Sequence, residues 1–239
     1  MWRALLWGAV ATSSLLLGGL LACGVSLSRR SLGLLMGFGA GTLISAVSYE
    51  LVFEAVHRSH GSGVPAIGFF AGALCFYLCD RWISAVAAGP SDLAVPMILG
   101  IILDGLPESV VIGLGLLERN TVSLAMLVAI FLSNLPEAVA GTVGMKESGW
   151  SRRTILLLWL VIAVACAIAS AVGYALFSGA PKEWLSLIQT FAAGAILVML
   201  ANSMIPESYL HGGKLAGLFT VLGFFTSVSI VVAEMSHAG

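Results

Sequence analysis

The 239 residues are 59% hydrophobic and only 10% charged, with a mean hydropathy of +1.04. A soluble domain is nearer about a quarter charged, so this composition excludes a globular core on one anchor and points to a polytopic membrane protein. A formal net charge of −1 excludes a basic nucleic-acid surface.

A spanning helix needs about 20 apolar residues. Polar punctuation divides the chain into segments at 4–25, 31–56, 64–87, 93–117, 121–145, 154–177, 184–209 and 213–235, which predicts an all-α bundle of eight transmembrane helices in one domain, 1–239. The breaks are Ser28-Arg29-Arg30, His57 to Gly63, Gly89-Pro90-Ser91-Asp92, Glu118-Arg119-Asn120, Lys146 to Arg153, Gly179 to Glu183, and His211 to Lys214. None is long enough for a soluble domain, so the chemistry belongs to the bundle. The seven prolines and 28 glycines suit membrane helices, which tolerate both.

The first segment needs one check. Arg3, an apolar run and Leu20-Leu21-Ala22-Cys23 mimic a lipoprotein cleavage site. Ser28-Arg29-Arg30 follows as after a first span, and all that comes later is also membrane, so a span is expected. With the N-terminus outside, the cytoplasmic loops hold Arg29, Arg30, Arg81, Lys146, Arg152, Arg153 and Lys214, against Arg3, Arg58, Arg119 and Lys182 outside. Seven against four favours both termini outside the cytoplasm. Cys23, Cys75, Cys79 and Cys166 all lie in apolar segments without a CxxC, and read as free core thiols.

On the second segment, Glu50, Glu54 and His57 stand at i, i+4 and i+7, a stripe on its outer half with His60 beyond. Glu50 and Glu54 are candidates for a cation entry path, whereas His57 and His60 read as helix-end residues reaching for water. Asp80-Arg81 reads as a local ion pair or interface anchor.

The fourth and fifth segments carry a near-repeat, Leu103-Asp104-Gly105-Leu106-Pro107-Glu108 and Leu132-Ser133-Asn134-Leu135-Pro136-Glu137. Each copy puts a proline and a carboxylate inside a span, where proline removes a backbone hydrogen bond and charge is expensive. Asp104 and Glu108 share a face at i, i+4, as do Ser133 and Glu137. Pro107 frees the carbonyl of Leu103 and Pro136 that of Leu132. A short connection predicts that the two helices run antiparallel side by side, with an oxygen-rich midplane pocket fed by unwound carbonyls, as in broken-helix transporters. Structural clamping by protonated, hydrogen-bonded acids is the plain alternative.

Glu207 and His211, after Pro206, close the seventh segment as a candidate exit, with Asn202 one turn earlier. Glu234 and His237 read as a frayed terminus.

These motifs resemble the ZIP family of divalent-metal transporters over most of the chain. Ser28-Arg29-Arg30, Gly37-Phe38-Gly39-Ala40-Gly41-Thr42 and Glu54-Ala55 are similar to its second helix. The two LPE copies are similar to its fourth and fifth helices, usually written HNxPEG and H/Q-N/D-x-PE. Phe191-Ala192-Ala193-Gly194-Ala195 with Ile205-Pro206-Glu207 is similar to its seventh. The resemblance implies metal carriage between the fourth and fifth helices, with an elevator-type movement of one helix group against another. By position it makes Glu108, Glu137 and Asn134 metal ligands.

The chain departs from the pattern elsewhere. Asp104 stands where His is usual, Gly105 replaces Asn, and Ser133 replaces His or Gln. Cys166 falls about where the sixth helix often has Glu, Asn202-Ser203 replace a polar pair, and the long histidine-rich loop before the fourth helix is absent. The expected metal set is therefore Asp104, Glu108, Ser133, Asn134, Glu137 and Cys166. Its oxygen donors suit Mn²⁺, Fe²⁺, Mg²⁺ or Ca²⁺ better than a nitrogen-rich site would, and one ion is expected rather than two.

The resulting expectation is uptake of a Zn²⁺/Mn²⁺/Fe²⁺-class ion across a bacterial inner membrane, with the ion as cargo and no cofactor. The ion and the bilayer are the partners, a homodimer is compatible, and nucleic acid is not expected. The alternative is a ZIP-like chain with a degenerate site, serving as sensor or scaffold or carrying another solute. An intramembrane hydrolase is disfavoured: no HExxH occurs and all four histidines lie at helix ends or in loops.

Overall fold

The computed structural model describes residues 1–25, 27–87, 94–119 and 121–237. Among them it has no strand and eight helices: α1 (Trp2–Gly24), α2 (Arg29–Arg58), α3 (Val64–Ala87), α4 (Ala94–Arg119), α5 (Leu124–Glu147), α6 (Arg152–Phe177), α7 (Lys182–Gly212) and α8 (Leu215–His237). Seven are long and apolar enough to cross a membrane. The remaining one, α4, has 26 residues and carries Asp104 and Glu108. The chain is thus an all-helical membrane bundle. The expected break at Gly89-Pro90-Ser91-Asp92 and the Asn120 end of the next one lie outside the described residues.

Serine starts three of these helices. Ser28, Ser123 and Ser151 each accept a hydrogen bond from the backbone N–H three residues on, satisfying a donor that the first turn leaves open. Glu234 adds to the start of α5 from the far end of α8. Its carboxylate accepts from the backbone N–H of Leu124 at 2.6 Å and of Ala125 at 3.5 Å, and from the Ser123 hydroxyl at 3.3 Å. The expectation of a frayed terminus is corrected here: the acid sits at the positive end of a helix dipole.

The helices pack as two sets. In the first, α1 lies on α5 and α6, and α4 lies on α6. In the second, α3 lies on α7, and α2 lies on α8 and on the end of α7. The sets meet where α2 crosses α5 and where α4 touches α3 and α7. The expectation that α4 and α5 run side by side is also corrected. They touch over a short stretch only, because α5 spends its packing surface on α1 and α2. Gly18 of α1, for example, lies against the Leu135 carbonyl and Ala138 of α5.

Glycine decides several of these pairings by letting backbones meet. Gly72 of α3 faces the Phe191 carbonyl of α7, and Gly194 of α7 returns the contact to the Phe69 carbonyl. Gly41 and Gly223 do the same between α2 and α8, against the carbonyls of Thr220 and Phe38. A β-carbon at any of the four would overlap the opposing backbone. Large apolar side chains such as Ile67, Phe70, Val161, Leu176 and Leu218 point away from the bundle, as a lipid-facing surface requires. Cys75 is also exposed, so it is not the core thiol expected; all four cysteines are free.

Two helices contain wider, π-helical turns, at Val47–Phe53 in α2 and Leu200–Met204 in α7. In α7 the cause is partly local: Pro206 has no N–H for the carbonyl of Asn202, and its ring crowds it. Pro107 and Pro136 leave α4 and α5 continuous, which corrects the expected unwinding. The Leu132 carbonyl that Pro136 frees faces Gly39 of α2, in a helix contact and not in a pocket.

Replacing Gly72 with valine is expected to separate α3 from α7 and to cost about 2 kcal/mol or more, since the obstacle is backbone and cannot rotate aside. Thermal unfolding in detergent would read this as a lowered midpoint, and Gly100→Val, at a position with open space, is the matched control.

Candidate functional site

The one short meeting of α4 and α5 is where the repeated motifs face each other. Glu108 is 2% exposed and Ser133 is fully buried. The Ser133 hydroxyl lies 3.3 Å from Glu108 Oε1 and 3.0 Å from the Ile130 carbonyl, so its single proton serves two acceptors. Glu108 Oε2 is buried with no hydrogen-bond partner among the described residues. Asn134, also buried, interacts with the same carboxylate.

Further acids surround this pair. Asp104, one turn from Glu108, is within electrostatic reach of it and of Asp80 on α3. Glu137, partly buried, is within reach of Asp104, Glu108 and Glu207. Among the described residues no ion pair involves Asp104, Glu108 or Glu137. Cys166 of α6 completes the neighbourhood; its buried thiol lies 3.8 Å from the Gly105 carbonyl, one turn from Glu108.

The six residues read from the sequence as one site are therefore gathered at the crossing of α4, α5 and α6. They do not close into a finished coordination sphere: among the described residues, no three His, Cys, Asp or Glu side chains are grouped so as to hold one metal ion.

Polar residues continue toward both faces of the bundle. Toward the face that carries both chain termini, a cavity of ≈ 20 Å³ is lined by Glu50, Glu54, Gln189, Ser123 and apolar residues of α4 and α5. That is room for one water-sized guest. Gln189 donates to the carbonyl of Glu50 at 3.0 Å and accepts from Arg58 at 3.1 Å, while Arg58 lies 3.9 Å from Glu54. The side-chain amide thus occupies a backbone carbonyl of the widened turn in α2. Glu50 and Glu54 stay together at the cavity, and His57 stands apart as a helix-end residue. His57 is exposed and stacks on Phe53 with ring centroids 6.1 Å apart, away from the cavity lining.

Toward the opposite face, Asn202 donates to Asp80 at 3.4 Å, from the wide turn of α7 to α3. His211 and Glu207 lie 3.9 Å apart one turn on. Asp80, read from the sequence as half of a local ion pair or as an interface anchor and not as a site residue, meets Asn202 of α7. The available signal was Pro206, which stands four residues after Asn202 just as Pro107 and Pro136 follow Leu103 and Leu132.

The chain matches no protein-family model and no curated protein.

Removing the Ser133 hydroxyl leaves Glu108 Oε1 short of a donor in a buried place. Ser133→Ala is expected to lower stability by about 1 kcal/mol. Asp104→Asn removes the cost of burying an ionisable group beside other acids and is expected to raise it. Unfolding midpoints of the two variants in one detergent should therefore move in opposite directions.

Proposed function

We propose that this protein is a divalent-metal transporter whose cargo passes through the Asp104–Glu108–Glu137 crossing. The observation that carries the proposal is Glu108, a buried carboxylate with one oxygen unpartnered, beside two acids that also lack a counter-cation among the described residues. A carboxyl so placed carries either a proton or a cation, and exchange of the one for the other is what a cation carrier requires.

Asp104, Glu108, Asn134 and Glu137 supply oxygen ligands in this reading, with Ser133 orienting Glu108 and Cys166 at the edge. A donor set of this kind favours Mn²⁺ or Fe²⁺ over more nitrogen-seeking ions. Glu50 and Glu54 give an approach from the terminal face, and Asp80, Asn202, Glu207 and His211 a departure at the other. The two helix sets supply bodies for an elevator-type movement, as the ZIP resemblance implies. The Lys/Arg distribution favours both termini outside the cytoplasm; with that orientation in a bacterial inner membrane, movement from the terminal to the opposite face is uptake. A homodimer is compatible with this arrangement.

The open spacing of the acids favours a second reading, a relic site in a sensor or scaffold. The two part on flux. Proteoliposomes with the wild-type protein are expected to accumulate Mn²⁺, and Glu108→Gln or Glu137→Gln to reduce uptake to the level of empty vesicles. Equal uptake by wild type and both variants would overturn the assignment of the site, and absence of both flux and metal affinity in the wild type would favour the relic.

A further inference from the structure

On the outside of the first helix set, α6 and α1 form a shallow, open apolar groove along Leu16, Leu156, Leu157 and Leu160, with the stems of Arg152 and Arg153 at its end. We propose that this groove seats an anionic phospholipid, with its phosphate on Arg152 and Arg153 and an acyl chain along the leucines.

Charge complementarity is the first argument. Arg152 and Arg153 are both exposed, and among the described residues neither is in an ion pair. They occupy the first turn of α6, which contains no acidic residue. Cations are disfavoured at that end of a helix, because the open N–H groups already make it positive. Two adjacent arginines there, without a carboxylate from the protein, call for an anion from outside, and guanidinium forks match phosphate oxygens in geometry.

The shape of the groove identifies the source of that anion. Beyond the arginines every lining residue is leucine, which offers nothing to free phosphate. From Arg152 to Leu160 the helix rises about 12 Å, close to the thickness of one leaflet, about half of a ~30 Å hydrocarbon core. Trp150, partly buried just before the helix, suits the headgroup level at which indoles collect. The groove therefore runs from headgroup depth toward the midplane, the course of one acyl chain in one leaflet. Leu157 and Leu160 are 51% and 44% exposed, so a lipid reaches them from the side without opening the bundle.

The opposite side of the same stretch of α6 carries buried Trp159, which donates to Thr142 of α5 at 2.8 Å and packs on Gly19 of α1. A lipid in the groove thus rests on helices packed against α5, which carries Ser133 and Glu137, yet its binding requires nothing of the metal reading.

Native mass spectrometry of delipidated full-length protein in detergent tests the proposal. The probes are phosphatidylglycerol and phosphatidylcholine of identical acyl chains, with inorganic phosphate as competitor. The wild type is expected to retain phosphatidylglycerol preferentially and to keep it in the presence of phosphate. Arg152→Gln with Arg153→Gln is expected to weaken that binding about 30-fold, about fivefold per arginine, leaving phosphatidylcholine unchanged. Arg29→Gln with Arg30→Gln removes equal charge elsewhere and is expected to change neither. No preference in the wild type, equal loss in both double variants, displacement by phosphate, or a lipid-independent dimer that disappears with Arg152 and Arg153 would each overturn it.

Discussion

Helices in lipid gain nothing from hiding apolar surface from one another, since the solvent is as apolar as they are. What joins them is close contact, and this bundle achieves it by pressing backbone onto backbone. The reciprocal pairs Gly72–Phe191 and Gly194–Phe69 tie α3 to α7, and Gly41–Thr220 and Gly223–Phe38 tie α2 to α8. In the other set Gly113 meets the Ser170 carbonyl between α4 and α6, and Gly8 meets Ser170 between α1 and α6. Dispersion falls steeply with separation, so pairs that lack such positions are weak neighbours whatever their order in the chain. Small residues also join the two sets, where Gly39 of α2 meets the Leu132 carbonyl of α5.

This constraint also explains which parts of the fold were legible in the sequence. The spans were, because apolar length and polar punctuation are local properties; all eight segments correspond to helices among the described residues. Neighbourhood was not. A short connection keeps two helix ends together but does not make their faces pack, and α5 is drawn instead to α1 and α2. The Gly-rich stretch from Gly37 to Gly41 and the one around Gly194 that carry part of the ZIP likeness are at the same time packing surfaces.

The site was legible in its residues and less so in its backbone. Asp104, Glu108, Ser133, Asn134 and Glu137 announced themselves as polar groups in apolar spans, and they do converge. The prolines misled, because the same spacing gives regular helix in α4 and α5 and a widened turn in α7. Pro206 permits widening, and packing selects it where Asn202 meets Asp80. The wide turn of α2 has no proline and was invisible; Gln189, more than a hundred residues away, bonds to the carbonyl of Glu50 within it. Glu234 was misread for the same reason. A carboxylate near a helix end looks solvated until tertiary structure brings another helix start beneath it.

The short contact of α4 with α5 also brings buried acids together. Where the two helices meet, they present carboxylates to each other, with one hydroxyl proton shared among the acceptors. A buried acid keeps its charge only with a partner cation and otherwise holds a proton, so closer approach of these two helices gains no ion pair. The helices accordingly take their support elsewhere, α4 from α6 through Gly105, Gly113 and Gly173, and α5 from α1 through Gly18. The element with the weakest hold on its partner helix is the one that carries two of the acids.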